Sequence, residues 1–343
     1  MKTIKYLLMS FTAIVFISCQ NEETLVIQDT TQNLTAISPL TDLISRVSQN
    51  PTSKDNILDN SSCFNVQLPV IVIVNGTHIT VSNQNDYIKV QAALDAFTND
   101  DDIVNFVYPI TIQYQNFTTQ LIANSDQLND VSNNCHKEDG FDEIDCIHIN
   151  YPIKINIYNA NNQIASTVIF QNDKDLYNFL ENIESNVFIS INYPVSITNF
   201  NGQNVVITNN SDFENNIETS IKDCDNNSGV GGNLDLTSIL KDGTWHVSYF
   251  FNKIDETSNY NGYNFTFNSN GAVLAVKGTN NIGGTWLTFV NSDQDKLQLK
   301  FDDSKLDELK DDWKITEYTT TSVRLKKESS SSGETDYLYF TKN

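Results

Sequence analysis

The chain has 343 residues, of which 39% are hydrophobic and 10% aromatic, enough for two or three globular domains with cores of their own. Its 43 acidic residues outnumber its 21 basic residues and give a formal net charge of −22 at pH 7. Such a surface repels phosphate backbones and anionic lipid headgroups, which argues against nucleic acid as a partner.

The N-terminus is typical of an exported protein. Lys2 and Lys5 precede an apolar run that ends near Ile17 and is too short to cross a bilayer. The run closes with Phe16-Ile17-Ser18-Cys19, which resembles the bacterial lipobox, where the signal is cut before a lipid-bearing cysteine. The resemblance implies a signal peptide over residues 1–18 and lipid attachment at Cys19, so acyl chains would anchor the protein to a membrane. The alternative is an ordinary cleaved signal followed by an unmodified cysteine.

Residues 19–60 are polar and have no sustained hydrophobic period, which predicts a flexible tether. Within it, the spacing of the apolar residues between Leu40 and Val47 predicts a short helix. The tether opens with Gln20-Asn21-Glu22-Glu23, which is similar to the acidic export tag of Bacteroidota-type lipoproteins. This similarity implies an outer-membrane protein exposed on the cell surface.

A sequence repeat, which we call a phrase, occurs four times between Cys63 and Cys224, and the prolines of successive phrases are about 40 residues apart. Each phrase has a Pro, an alternating apolar strand, a turn, a second strand and then a helical period. The second strands are predicted at residues 77–81, 119–123, 166–170 and 204–208. Asp86, Asp126 and Asp212 precede or open the helices and are predicted to cap them.

Two phrases together predict one α+β domain, a four-stranded antiparallel sheet with helices on one face. The chain would contain two such domains, over residues 61–136 and 145–225. The pattern resembles uncharacterised secreted repeats in Bacteroidota-type lipoproteins. That resemblance implies a surface location and no known activity.

Four cysteines remain after Cys19, an even number that predicts disulfides in an exported protein. Three pairings are open. Each pair of phrases is bracketed by its own two cysteines, which favours Cys63 with Cys135 and Cys146 with Cys224. A zinc site is the competing use of four cysteines, but their spacing does not fit one.

A Gly- and Asn-rich linker is predicted over residues 226–234, and a third domain over residues 235–343. Eight strand-like runs follow one another there with short turns, which favours an up-and-down β-barrel. The runs are at residues 244–251, 260–268, 271–277, 284–290, 295–301, 313–319, 321–327 and 335–342.

Several residues of this third domain carry a resemblance to the lipocalin-like domains of Bacteroidota lipoproteins. Gly243-Thr244-Trp245 opens the first strand like the lipocalin Gly-X-Trp, and Gly284-Thr285-Trp286 follows later. The resemblance implies that Gly243 and Trp245 form the closed base of the barrel, with Arg324 covering that Trp.

No motif for catalysis is present. The four histidines form no metal-ligand pair, and the chain has no nucleophile elbow, P-loop or dinucleotide fingerprint. We therefore expect no enzyme, no cofactor and no metal. The acidic stretch over residues 138–145 is the alternative, since Ca²⁺ binds carboxylates, but its spacing does not match an EF-hand.

Two hypotheses for the function remain. In the first, the protein is a surface lipoprotein whose barrel takes a small apolar or glycan ligand. The residues predicted to line that barrel mouth are Tyr249, Phe251, Tyr263, Phe265, Trp286 and Phe289. In the second, it is a surface adhesion or scaffold protein that acts through its repeats, and side chains of the barrel fill its interior.

Overall fold

The computed structural model describes residues 33–61, 63–96, 103–135, 143–159, 161–228, 235–292, 294–328 and 334–343, without the side chains of residues 135 and 223–228. The signal peptide, Cys19, most of the 226–234 linker and most of the 138–145 stretch lie outside the described residues. The predictions for them, and for the domain boundaries between them, stay predictions.

Two helices precede the repeats, α1 (Pro39–Val47) and α2 (Asn56–Asp59). The short helix predicted from Leu40 to Val47 is confirmed. A flexible tether is wrong for this part of the chain, because the apolar face of α1 is buried in the core of the second pair of phrases. Leu58 of α2 is likewise buried in the core of the first pair. A few apolar residues at helical spacing were enough to fold an otherwise polar segment.

The four phrases fold in the predicted order of strand, strand and helix. The first pair contains β1 (Phe64–Val66), β2 (Val70–Val74), β3 (Thr77–Val81), α3 (Tyr87–Leu94), β4 (Val104–Phe106), β5 (Ile110–Tyr114), β6 (Thr119–Ile122) and α4 (Ser125–Cys135). The second pair contains β7 (His148–Asn150), β8 (Ile153–Tyr158), β9 (Ile164–Phe170), α5 (Asp173–Glu181), β10 (Ile189–Ile191), β11 (Val195–Thr198), β12 (Asn204–Ile207) and α6 (Asn210–Ser228).

The predicted four-stranded sheets are wrong, because each pair of phrases forms two three-stranded sheets. In the first pair the orders are β3-β2-β4 and β1-β5-β6, and in the second β10-β8-β9 and β12-β11-β7. The third strand of every sheet is a short one that precedes the proline of the opposite phrase. Each short strand occupies the sheet edge at which the two hairpins of a pair would otherwise have paired with each other. The four X-Pro peptide bonds beside them are cis.

The helix caps also differ from the prediction. The side chains that accept the first free amides are asparagines that precede the predicted aspartates, such as Asn83 before α3 and Asn209 before α6. Asp86 and Asp212 instead accept a hydrogen bond from a backbone N–H four residues upstream. The Asn side chain therefore caps the first turn of the helix, and the Asp carboxylate binds the chain just before it.

Cys63 and Cys146 each belong to a disulfide bond, and the partner of neither is among the described side chains. The Sγ atom of Cys146 lies 3.7 Å from the carbonyl oxygen of Ser220, one turn before Cys224 in α6. The side chains of Cys135 and Cys224 lie outside the described residues. The predicted pairing of Cys63 with Cys135 and of Cys146 with Cys224 therefore stays a prediction.

The third domain begins with α7 (Leu236–Lys241) and forms a closed eight-stranded antiparallel β-barrel, as predicted. Closure comes from the pairing of the first barrel strand with the last. A two-residue strand, β14 (Ile254–Asp255), pairs antiparallel with the end of the first barrel strand. The barrel strands are β13 (Trp245–Asn252), β15 (Asn264–Phe267), β16 (Ala272–Lys277), β17 (Asn280–Asn291), β18 (Gln294–Phe301), β19 (Asp311–Tyr318), β20 (Ser322–Glu328) and β21 (Thr335–Lys342).

Among the helices that the structure describes, none has both the length and the hydropathy needed to cross a bilayer.

Candidate functional site

The interior of the barrel is filled by its own side chains. The largest of them are fully buried aromatic residues, namely Trp245, Trp313, Phe250, Phe265, Phe267 and Phe340. Their rings meet edge to face, with centroids 5.3 Å apart for Phe265 and Phe340. These contacts occupy the space in which a small ligand would have to sit.

The six residues predicted to line a ligand pocket are divided between the two faces of the barrel wall. Tyr263, Phe265 and Trp286 are buried in the core. Tyr249 and Phe251 lie on the outer face, because a β-bulge between Val247 and Tyr249 shifts the alternation of β13 by one residue.

Phe289 is also on the outer face, since it is opposite Lys296 in the neighbouring strand and three residues from the buried Trp286. The barrel wall therefore does not bring the six predicted residues together.

The residues predicted for the barrel base are placed in two different regions. Trp245 is fully buried, and its indole N–H donates to the carbonyl oxygen of Leu240 over 3.0 Å. Gly243 has φ +84°, a left-handed backbone conformation that favours glycine. Arg324 does not cover this Trp. It lies on the outer wall, beside the ring of Tyr339 at 5.4 Å.

Arg324 belongs to an ionic interface between the outer wall of the barrel and the rest of the chain. We call it the docking interface and define it by Asp42 and Arg46 of α1, Glu214 and Glu218 of α6, and Lys314, Glu317, Arg324 and Lys326 of the barrel. Both arginines of the chain are in it.

The α1 half of the docking interface is built around Glu317. The guanidinium of Arg46 donates to both carboxylate oxygens of Glu317, over 2.7 and 2.8 Å. Arg324 donates to Asp42 over 2.5 Å and lies 3.8 Å from Glu317. A bidentate pair of this kind fixes orientation as well as distance, so it sets how α1 lies against β19 and β20.

The α6 half is built around Lys326. This lysine points outward from the barrel, yet it is only 2% exposed because α6 covers it. Its Nζ lies 2.9 Å from Glu218 and 3.5 Å from Glu214, and it donates to the side chain of Asn215 over 2.8 Å. Glu218 also pairs with Lys314 over 3.0 Å.

Burial and charge act against each other at this cluster. Burial raises the pKa of Glu214, and the positive charge of Lys326 opposes that rise without cancelling it. Burial alone would lower the pKa of Lys326, but the charges of Glu214 and Glu218 raise it above its ordinary value. The hydroxyl of Tyr337 donates to Glu214 over 2.7 Å and satisfies its second oxygen.

A cleft lies beside the docking interface, between α1 and the outer wall. Its volume is about 340 Å³, and its lining includes Asp42, Arg46, Glu181, Arg324 and Tyr339. The arginines in it are already paired with carboxylates. An adjoining cleft of about 350 Å³ reaches Tyr249, one of the residues predicted to bind a ligand.

His246 is the histidine of the barrel. It is half-buried, and its Nδ1 lies 2.8 Å from Oδ1 of Asn343. Among the residues that the structure describes, no three side chains from His, Cys, Asp and Glu come together as metal ligands.

Sequence reasoning missed the docking interface because its partners come from distant parts of the chain. One signal was present. The chain has only two arginines, and in a strongly acidic chain Arg324, Lys326 and Lys327 fall within one strand. Such a basic strand in an acidic protein indicates an internal partner.

Comparison with known proteins adds little. No family model matches the chain, and no curated protein matches it. Among solved structures, the chain is similar to a DUF4847 family protein from Bacteroides vulgatus, with 17% sequence identity and a TM-score of 0.25. The match covers 32% of this chain and 98% of that one. At this TM-score the match says nothing about function, which is inferred from the chain's own residues.

Proposed function

We propose that this protein is a cell-surface adhesion or scaffold lipoprotein without catalytic activity, anchored to the outer membrane through Cys19. Its repeats form the surface that binds a partner, and the barrel is a rigid support. The barrel contains Gly243 and Trp245 of the lipocalin-like motif. The observation that carries this proposal is the filled barrel. Its interior holds its own aromatic side chains and part of its outer wall is covered by α6.

The repeats support a role in contact because they present equivalent apolar side chains on edge strands. Leu121, Ile169 and Val206 each precede the buried residue that ends the second strand of a hairpin. Their exposed fractions are 65%, 51% and 65%. Each lies at the end of a three-stranded sheet, where a free strand edge can pair with another chain.

Adhesion is tested with beads that carry the mature chain, presented to a printed panel of glycans and extracellular matrix proteins. We expect retention on at least one member of the panel. The triple variant Leu121→Ser, Ile169→Ser and Val206→Ser should reduce it at least tenfold.

The matched control is Leu287→Ser with Val290→Ser, which removes exposed apolar side chains from the barrel instead. Retention that is lost with the barrel variant and kept with the repeat variant would overturn the assignment to the repeats.

The competing hypothesis, a small ligand in the barrel, is tested by titrating the mature chain with a fluorescent fatty acid and with soluble oligosaccharides. All three tryptophans of the chain lie in the barrel, so their emission reports on its interior. We expect no saturable change. A stoichiometric change that Trp286→Phe abolishes would establish the ligand-binding function instead.

Anchoring is tested separately by metabolic labelling with a fatty acid and by protease treatment of intact cells. The wild-type chain should be labelled and cut, and Cys19→Ala should abolish the label. An unlabelled wild-type chain would remove the lipoprotein part of the proposal and leave the barrel argument standing.

A further inference from the structure

Two carboxylates lie one helical turn apart in front of the first repeat. Asp55 ends the 3₁₀ helix Ser53–Asp55, and Asp59 ends α2. Residues four apart share a face of a helical segment, so the two side chains are neighbours. Asp55 is only 2% exposed, although carboxylates are rarely buried without a partner.

Each carboxylate has one hydrogen-bonded oxygen and one without a partner. Oδ2 of Asp55 accepts from the amide of Val66 over 2.5 Å, and Oδ1 of Asp59 accepts from the amide of Ser61 over 3.1 Å. Oδ1 of Asp55 and Oδ2 of Asp59 are buried and have no hydrogen-bond partner. An ionised oxygen removed from water in this way is strongly unfavourable unless a positive charge balances it.

No side chain of the described residues supplies that positive charge. The ion pairs in this part of the chain involve neither Asp55 nor Asp59. Burial raises the pKa of Asp55 to about 6. Burial, followed by the charge of Asp55, raises the pKa of Asp59 to about 8. Both shifts mean that, without a cation, burial favours the protonated carboxyl over the carboxylate.

We propose that Asp55 and Asp59 are ligands of one hard divalent cation and that Ca²⁺ fits the site best. The ligand atoms are all oxygen, which suits Ca²⁺ better than Zn²⁺, because Zn²⁺ prefers nitrogen and sulfur ligands. Ca²⁺ tolerates irregular coordination and completes its shell with carbonyl oxygens and water, whereas Mg²⁺ requires near-octahedral geometry. This site differs from the acidic 138–145 stretch and from the expectation that the chain holds no metal.

The ring of Tyr87 gives this site a specific spectroscopic reporter. The charges of Asp55 and Asp59 contribute, after burial, to raising the pKa of Tyr87 to about 12, so its phenol lies near both carboxylates. Terbium(III) substitutes for Ca²⁺ at oxygen sites, and its emission is sensitised by a nearby tyrosine. The tryptophans are in the barrel, and of the three tyrosines packed against this core Tyr87 is the one whose pKa responds to Asp55 and Asp59, so it is the expected sensitiser.

The experiment uses the mature chain treated with EDTA and then dialysed. Calorimetry with CaCl₂ should show one site, and TbCl₃ should give a sensitised emission that Ca²⁺ displaces. Asp59→Asn should weaken both signals at least tenfold. Tyr87→Phe should keep the calorimetric binding and lose most of the emission.

Asp95→Asn is the matched control, because it makes the same charge change at an exposed position of the same repeat and should leave the binding unchanged. Asp59 is less buried than Asp55, so its variant is expected to fold. Circular dichroism of each variant checks this directly.

Two outcomes would overturn the proposal. One is the absence of any Ca²⁺ binding, together with a melting temperature that rises as the pH falls from 8 to 5, which means that the two carboxylates share a proton. The other is Ca²⁺ binding that Asp59→Asn leaves unchanged, which places the ion elsewhere.

Discussion

The two pairs of phrases share one fold but differ in the last helix, at the face that in the second pair meets the barrel. In the second pair, Glu214 and Glu218 of α6 reach Lys326 of the barrel. Counted from the capping asparagines Asn124 and Asn209, the corresponding residues of α4 are Asn129 and Asn133, which are exposed. The first pair therefore has two exposed asparagines at the positions where the second pair has two buried carboxylates.

The difference shows how one of two repeated pairs of phrases can form a contact with the barrel while keeping the same fold. Phe213 and Ile217 of α6 keep the hairpins covered, as Leu128 and Val131 do in α4. The side of the helix that points away from the hairpins differs between α4 and α6. Two carboxylates at the spacing of one helical turn converted that side into a contact for the barrel.

The largest expected effect is the loss of the cation at the centre of this contact. Lys326→Ala leaves the buried Glu214 without a positive partner and Glu218 with Lys314 alone, which costs about 3–5 kcal/mol of unfolding free energy. We expect urea transitions followed by tryptophan emission, which reports the barrel, and by far-UV circular dichroism to separate. Lys305→Ala, at an exposed lysine, is the control and should leave the transitions coincident. Coincident transitions in both variants would contradict the docking interface.

A smaller effect is expected in the α1 half. Arg46→Ala removes two charge-assisted hydrogen bonds to Glu317 and should cost about 2–3 kcal/mol. Arg46→Lys should recover part of the loss, because an ammonium group keeps the charge but cannot form the bidentate pair. Urea midpoints of the three chains measure this series. Equal midpoints for the Lys and Ala variants would show that geometry at Glu317 is unimportant.

The docking interface also predicts a dependence on pH. Burial raises the pKa of Glu214. The folded chain therefore binds this proton more tightly than the unfolded chain. The stability from this group is fully present below its ordinary pKa near 4.5 and is lost as the pH rises through the raised value. Urea midpoints from pH 4.5 to 7.5 should fall less steeply for Glu214→Gln than for wild type. Parallel curves would contradict the shift.

The smallest effects are at the helix caps, and they compare the two pairs directly. Asn124→Ala and Asn209→Ala each remove a side-chain acceptor for a first-turn amide and should cost about 1 kcal/mol. Only Asn209→Ala should alter the tryptophan emission of the barrel, since α6 contacts the barrel. Thermal melts at both wavelengths test this. An emission change for Asn124→Ala as well would indicate coupling across both pairs.

Sequence reasoning was most successful where a period extended over many residues. The hairpin strands, the helix in α1 and all eight barrel strands have alternating or helical patterns that a single chain displays by itself. Three-residue strands such as β1 and β7 are too short to show a period, so the exchange of strands could not be foreseen.

The prediction of ligand-binding residues was wrong because of a local feature of one strand. The docking interface was missed because its residues are far apart in the sequence. One bulge after Val247 turned Tyr249 and Phe251 outward, and bulges leave no mark in the hydrophobic pattern. Burial of Lys326 depends on α6, more than a hundred residues away along the chain. A strand lysine on its own indicates solvent, and only the coordinates show what covers it.

The reciprocal short strands limit how this architecture can grow. Since β1 completes the sheet of β5 and β4 completes the sheet of β2, a single phrase supplies one strand to a neighbour and lacks one itself. Duplication of one phrase would leave one short strand without a sheet to join and one sheet without its third strand. Both would favour pairing between molecules. Duplication of two phrases leaves neither, so longer relatives built on this plan should contain even numbers of phrases.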